Sequence, residues 1–485
     1  MIRPLIYTNI SNAKGGITRD SGFHVARNVI NYILRKRDDF FFYLTIPVGS
    51  ESVAKSWLER PDRVQLIPLR YSSAGSLNKM HMDIVGLRKN LPWILYPITV
   101  IWNNEAYMSL LMLQALKATL PYAKTSLANY VHWIEIPRQN RLGSIHKGNW
   151  HMWALASGIY WNSKTYFNSQ YGIELVKPYF RKFCRGDIYE EIESKMEPLY
   201  LGINVEELDK FKTNEVFDRP TFIFNQRIVP YTGARSVLQA AIDLIKDGYK
   251  FYIILTNPSQ STIKTIDYNN PDYKDCLIRC EGLPYPKYVE TLWKSDAVIA
   301  WHGGYKSSSL TSQVGDAPVS QWSIAFPEAI ACECYPIAHN LGFFSEMLPK
   351  DYLIPTKSLE NLKTSMRLVI ENVEYYRKKS SQISSYVREK YDWKVRIDDW
   401  IKAFEQLHDQ SFRSYGTISA STIERIEKVI RTQGHFKWSD LSKQVGWMSQ
   451  MKLSRMAPYF WLCANYKETP TAEPVFSSQK LMEWI

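Results

Sequence analysis

The sequence predicts an α/β protein: two parallel-sheet lobes in tandem, then a small helical unit. Three observations predict it. Short apolar strands alternate with amphipathic helices over residues 1–204. A second alternating set begins at Thr221, and the charged stretch Glu206 to Arg219 between the two reads as a linker. Strand-helix alternation covers both faces of a sheet, which favours parallel pairing.

Residues 2–8 form the first strand, followed by a loop carrying Gly15, Gly16 and Gly22. A helix is expected from Phe23 to Lys36, with Phe23, Val25, Ala26, Val29, Ile30 and Ile33 near helical spacing. Strand-like runs recur at Phe40–Ile46, Val64–Pro68, Ile98–Trp102, Ala128–Ile134 and Thr165–Asn168. The second set reads as strands at Thr221–Arg227, Tyr249–Thr256, Ala297–His302 and Tyr335–Ala338. Helices are expected at Ala234–Ile245, at Pro284–Asp296 and from near Phe326–Glu328. Ser358 to Gln406 is helical and charged. After the polar break at 408–419, a helix to Thr432 is expected with Ile423, Ile426, Val429 and Ile430 on one face, stopped by Gly434. A turn at Gly446, a helix over Ser449–Ala464 and a hairpin over Asn465–Phe476 complete it. The domain limits read as 1–204, 215–410 and 416–485.

With 485 residues, 45% apolar and 22% charged, the chain has the composition of a folded protein of two or three domains. Its formal charge of +12 favours polyanionic partners. Cys184, Cys276, Cys280, Cys332, Cys334 and Cys463 show neither C-x-x-C pairs nor zinc-finger spacing, so free thiols in a reducing compartment are expected. MIRPLIYTNI reads as a strand, not a signal peptide, and the apolar run from Leu91 to Trp102 is too short to span a bilayer. A cytoplasmic location is expected, the host cytoplasm for a protein of phage origin.

Gln321 to Leu348 is the most informative segment. Glu328-Ala329-Ile330-Ala331-Cys332-Glu333-Cys334-Tyr335-Pro336-Ile337 resembles the EA-x-x-C-G-C-Y-P-L signature in the donor-sugar segment of retaining GT-B glycosyltransferases, a branch that includes tRNA-modifying members. The resemblance implies two Rossmann-like domains facing a cleft that binds a nucleotide sugar. Glu328 matches the second glutamate of the E-x7-E motif, which holds the ribose; the first would stand at Ser320. Arg227 and Gly233 match the arginine and glycine of a diphosphate-binding motif in which Thr232 replaces lysine, and Arg235 or Lys306 are candidate substitutes. Gly15 and Gly16, His302 and Gly303, and Trp322 and Ser323 are donor-site candidates, because glycine-flanked loops and strand ends let backbone approach a nucleotide. His132 resembles a histidine placed beside the donor sugar, with Glu135 and Arg138 toward the acceptor. Asn168-Ser169 resembles a structural N-S pair. The family dispenses with a metal, and this chain has no Asp-x-Asp after an apolar strand, so no cofactor or metal is expected.

The terminal unit resembles a winged helix-turn-helix, with Gln450, Lys452 and Arg455 on its recognition helix. Together with the charge and the 14% aromatic content, this favours DNA as partner and a 5-hydroxymethylpyrimidine base as acceptor, as in phage DNA glycosyltransferases. The alternatives are a glycosyltransferase of lipid-linked or surface glycans in peripheral membrane contact, a tRNA-modifying transferase, and an inactive GT-B-fold DNA-binding regulator.

Overall fold

The computed structural model describes residues 2–8, 17, 20–70, 83, 86–87, 90, 98–102, 126–131, 134, 142–226, 228, 232–256, 271, 273–280, 282–301, 323–340, 342–410, 435–437 and 475–477. The first sheet holds β1 (Pro4–Thr8), β2 (Phe42–Pro47), β3 (Val64–Leu69), β4 (Ile98–Trp102), β5 (Ser126–Val131), β6 (Lys164–Phe167) and β7 (Met196–Pro198). Their order is β3-β2-β1-β4-β5-β6-β7, and all pairs are parallel. Every residue of β1, β2 and β5 is buried, as expected of strands covered on both faces. The covering helices include α1 (Ser21–Lys36), α2 (Glu51–Ser56), α3 (Leu142–Trp161), α4 (Gln170–Phe183) and α5 (Gly186–Ser194). Asp20 starts α1: its carboxylate accepts the N–H of Gly22 at 2.9 Å and of Phe23 at 3.2 Å.

The second sheet, also all parallel, has order β10-β9-β8-β11-β12. Its strands are β8 (Thr221–Phe224), β9 (Tyr252–Leu255), β10 (Leu277–Arg279), β11 (Ala297–Ala300) and β12 (Tyr335–Ala338). Helices α7 (Ala234–Lys246), α8 (Tyr285–Lys294), α9 (Ala325–Ala331), α10 (Phe344–Met347) and α11 (Leu359–Glu371) belong to this lobe. In each sheet the chain reverses its direction of growth once, between β1 and β4 and between β8 and β11. Open α/β sheets bind ligands outside the carboxyl ends of strands at such switch points.

The expected linker is not a free tether. It opens as α6 (Val205–Asp209), capped by Asn204, with Leu208 fully buried and its carbonyl accepting from the Trp293 indole at 3.1 Å. The charged helical stretch divides into α11, α12 (Val373–Tyr391) and α13 (Trp393–Gln410). Helix α12 stays on the second lobe, where Ser384 Oγ and Arg388 Nε donate to the Ala331 carbonyl at 3.0 and 2.8 Å. Helix α13 returns to the first. Trp400 Nε1 donates to the Tyr200 carbonyl at 3.0 Å, Ser126 Oγ donates to the Leu407 carbonyl at 2.7 Å, and Lys36 pairs with Asp398 at 2.8 Å. One apolar cluster runs from Ile6 and Phe42 in the first lobe, through Leu208, Trp393 and Trp400, to Phe326 and Phe344 in the second.

At the C-terminal end, β13 (His435–Lys437) pairs antiparallel with β14 (Val475–Ser477), with Phe436 opposite Phe476. The end of the expected hairpin thus pairs with a distant segment. The remaining expectations for the terminal unit, its winged-helix form included, lie outside the described residues. Among the described residues, five cysteines carry no disulfide, and no helix is long and apolar enough to cross a membrane.

Candidate functional site: the carboxyl edge of the second sheet

The site is built where β8 and β11 separate. Beyond Phe224, the Asn225 amide donates to the Ala325 carbonyl at 2.5 Å and to the Tyr288 hydroxyl at 3.1 Å. Gln226 Nε2 donates to Asn225 Oδ1 at 3.3 Å, and Ser323 Oγ donates to Gln226 Oε1 at 3.0 Å. This chain of side chains ties the end of β8 to the start of α9. The same loop turns through Gly233, whose φ of 74° lies in the left-handed region. A Cβ there would sit 1.8 Å from the Trp301 carbonyl oxygen, so only glycine lets the β8–α7 loop close against the end of β11.

Glu328 lies on α9, whose other face is made of the buried Phe326, Ala329 and Ile330. Glu328 as a residue is half-buried, but its carboxyl is enclosed by protein, and its pKa rises to about 8. Desolvation is the main cause and the Glu207 carboxylate adds to it, while the Arg27 guanidinium works against both. Burial first, and Glu328 next, push the phenols of Tyr285 and Tyr288 upward. Arg27 comes from α1 and Glu207 from α6, so this carboxyl stands where the two lobes meet.

The surroundings on the first-lobe side are ordered by hydrogen bonds. Arg27 approaches Glu207 at 3.6 Å, donates to Asn28 Oδ1 at 2.7 and 3.1 Å, and lies 4.8 Å from the Trp57 ring centre. Asn204 and Glu207 cap each other: Asn204 Nδ2 donates to Glu207 Oε2 at 2.9 Å, and the Glu207 N–H donates to Asn204 Oδ1 at 3.1 Å. Tyr32 donates to the same Asn204 oxygen at 2.9 Å. Such a carboxyl, beside phenols and opposite a guanidinium, can grip a vicinal diol. Among the described residues, no group of His, Cys, Asp and Glu is placed to hold a metal ion.

Of the site candidates singled out in the sequence, Glu328, Ser323, Gly233 and Arg235 are described, and Glu328, Ser323 and Gly233 lie in this site. Gly15, Gly16, His132, Glu135, Arg138, Arg227, His302, Gly303, Lys306, Ser320, Trp322, Gln450, Lys452 and Arg455 lie outside the described residues. Three described neighbours, Gln226, Trp301 and Ser323, converge at the switch point. Thr232 is 2% exposed, whereas Arg235 lies exposed on the first turn of α7. Ser169 caps α4 by accepting the Gly172 N–H at 3.2 Å. Sequence reading missed Asn225 and Gln226, although their place after an apolar strand was a usable signal. It had no signal for Arg27, Glu207 or Tyr288, which reach the site from separate helices.

No family model matches the chain. It is 22% identical over 217 residues to an uncharacterised glycosyltransferase of Methanocaldococcus jannaschii, covering 43% of this chain and 52% of that protein. The chain thus spans about half the length of that curated relative. Among solved structures, Anabaena HepE in complex with UDP and glucose superposes with a TM-score of 0.58 at 11% identity, over 84% of this chain and 100% of that one. Sucrose-phosphate synthase of Thermosynechococcus elongatus gives 0.57 at 10% identity over 84% and 99%. A Rickettsia africae glycosyltransferase gives 0.56 at 12% over 84% and 98%. The fold is that of the GT-B glycosyltransferases.

Proposed function

We propose that this protein is a retaining glycosyltransferase that moves a sugar from a nucleoside diphosphate sugar to a hydroxyl on a modified DNA base. The observation that carries the transferase reading is the enclosed Glu328 carboxyl at the β8–β11 switch point, on the same fold as a protein solved with UDP and glucose. In this reading Glu328 accepts hydrogen bonds from the ribose hydroxyls. Arg227, with Gly15 and Gly16 and the His302–Gly303 loop, surrounds the diphosphate. As the bond between C1 and the diphosphate oxygen breaks, negative charge grows on the leaving group and Arg227 stabilises it. The acceptor oxygen bonds to C1 on the face that the diphosphate leaves, and its proton passes to a diphosphate oxygen. His132 and Glu135 hold donor sugar and acceptor. No carboxylate base and no metal are required.

The acceptor reading rests on the net charge of +12 and on the terminal unit, where Gln450, Lys452 and Arg455 would meet DNA, with Arg138 of the first lobe toward the acceptor. The β13–β14 pairing supports a terminal unit that closes on itself. The test is mass spectrometry of DNA containing 5-hydroxymethylcytosine or 5-hydroxymethyluracil, incubated with a panel of nucleotide sugars, with tRNA in parallel. The expected result is a hexose or pentose mass added to the modified DNA, with binding that weakens steeply as salt rises. Transfer to tRNA alone would overturn the DNA acceptor. Neither transfer nor hydrolysis of any donor would overturn the transferase.

A further inference from the structure

One carboxylate of the second lobe reaches into the first. Glu346, on α10 after β12, reaches the amino end of α4 in the first lobe. Its two oxygens accept the backbone N–H groups of Gln170 at 2.9 Å and Tyr171 at 3.0 Å. The Tyr200 hydroxyl, from the segment after β7, donates to the same carboxylate. The next N–H of α4, that of Gly172, is taken by Ser169 of its own chain segment. Thus the capping of one first-lobe helix is shared between its own serine and a glutamate from the other lobe.

The electrostatics favour this contact. A helix amino end carries partial positive charge and unpaired N–H groups, and a carboxylate satisfies both. The contact is also firmly backed. Phe343, Phe344 and Met347, which flank Glu346, are fully buried in the cluster that joins the lobes. Burial and Glu346 together raise the Tyr200 phenol above its ordinary pKa, so Tyr200 remains a donor throughout the neutral range. Both partners follow carboxyl strand ends, β12 in the second sheet and β6 in the first. They therefore lie on the same edge of each sheet as the candidate site. Opening the lobes would strip two N–H groups and a phenol of their acceptor at once.

We infer that Glu346 is a positioning residue that fixes the separation of the two lobes by capping α4 across the cleft. This rests on the glycosyltransferase reading only for its catalytic consequence: donor and acceptor must be held at one separation for transfer to occur. The variant Glu346→Gln keeps size and shape, but it offers one acceptor oxygen and turns an NH2 group toward the second N–H. Tyr200→Phe removes the third donor and leaves the helix cap in place.

The experiment measures amide exchange of the α4 amino end, radius of gyration by solution scattering, and donor KM and kcat, for the full chain and both variants. In Glu346→Gln the Gln170 and Tyr171 amides should exchange at least about tenfold faster, as expected when a backbone hydrogen bond is lost. The radius of gyration should increase, and kcat should fall more than KM rises. Tyr200→Phe should shift the same quantities in the same direction by less. Unchanged exchange and unchanged radius in both variants would overturn the inference, whatever the enzyme's substrate. If exchange and radius change while no variant, nor the parent, acts on any nucleotide sugar, the positioning role stands and the transferase reading fails.

Discussion

Replacing Glu328 with glutamine should stabilise the protein and, if the proposed ribose contact holds, weaken its grip on nucleotide. The folded carboxyl holds its proton up to about pH 8, whereas the unfolded one releases it near its ordinary value of 4.5. Between those limits the native state binds more protons than the unfolded state, so stability falls as pH rises through the window. At about 1.4 kcal/mol per pH unit the ceiling is about 5 kcal/mol, and the partial exposure of the residue reduces it to about 2 kcal/mol. Glutamine has no charge to bury. The advantage of Glu328→Gln should be nil below pH 4.5, grow through neutrality and level off above pH 8. Nucleotide binding should move the other way. Above pH 8, where Glu328 is ionised, losing the proposed charged hydrogen bond to ribose would cost about 1.5–3 kcal/mol, or about 10–100-fold in affinity for a nucleoside diphosphate such as UDP. Thermal melts from pH 4 to pH 9, read as the difference between parent and variant, test the first part. Calorimetric titration with UDP at about pH 8.5 tests the second, a pH chosen to lie above the raised pKa. A stability difference that is flat in pH, or that favours the parent at high pH, would refute the reasoning, because the carboxyl would then not be the desolvated group described.

Gly233→Ala should lower stability by about 3 kcal/mol or more, since the left-handed backbone costs about 1–2 kcal/mol and the new Cβ collides with the Trp301 carbonyl. Under the proposed role of Arg227, UDP affinity should fall with it; full stability in a denaturant titration would contradict the close approach of Gly233 to Trp301. Glu333→Gly should stabilise by about 1 kcal/mol. Glu333 has φ 66°, the one positive value at a non-glycine among the described residues, at the position where the related signature carries glycine. A loss of stability there would mean that its contacts with Lys212 at 3.4 Å and Ser381 at 3.3 Å outweigh the backbone strain.

Local features were legible in residue order. Apolar runs such as TFIF and AVIA read as buried strands, the periodic apolar face of α1 marked its extent to within two residues, and Tyr335–Ala338 was read at its observed limits. Glu328 and Ser323 stood out because they sit in one continuous stretch whose residue order carries the pattern. The edge strands β7 and β10, three residues each, were missed because so short a run has no period to detect. Everything else came from packing in three dimensions. Arg27, Glu207, Tyr288 and Glu328 lie on four helices, and Glu346 meets Gln170 across 176 residues of chain. Such contacts depend on how two sheets and a returning helix pack, and on where water is excluded. Raising the pKa of a carboxyl or sharing a helix cap between lobes is a property of that enclosure, which no single stretch of sequence encodes.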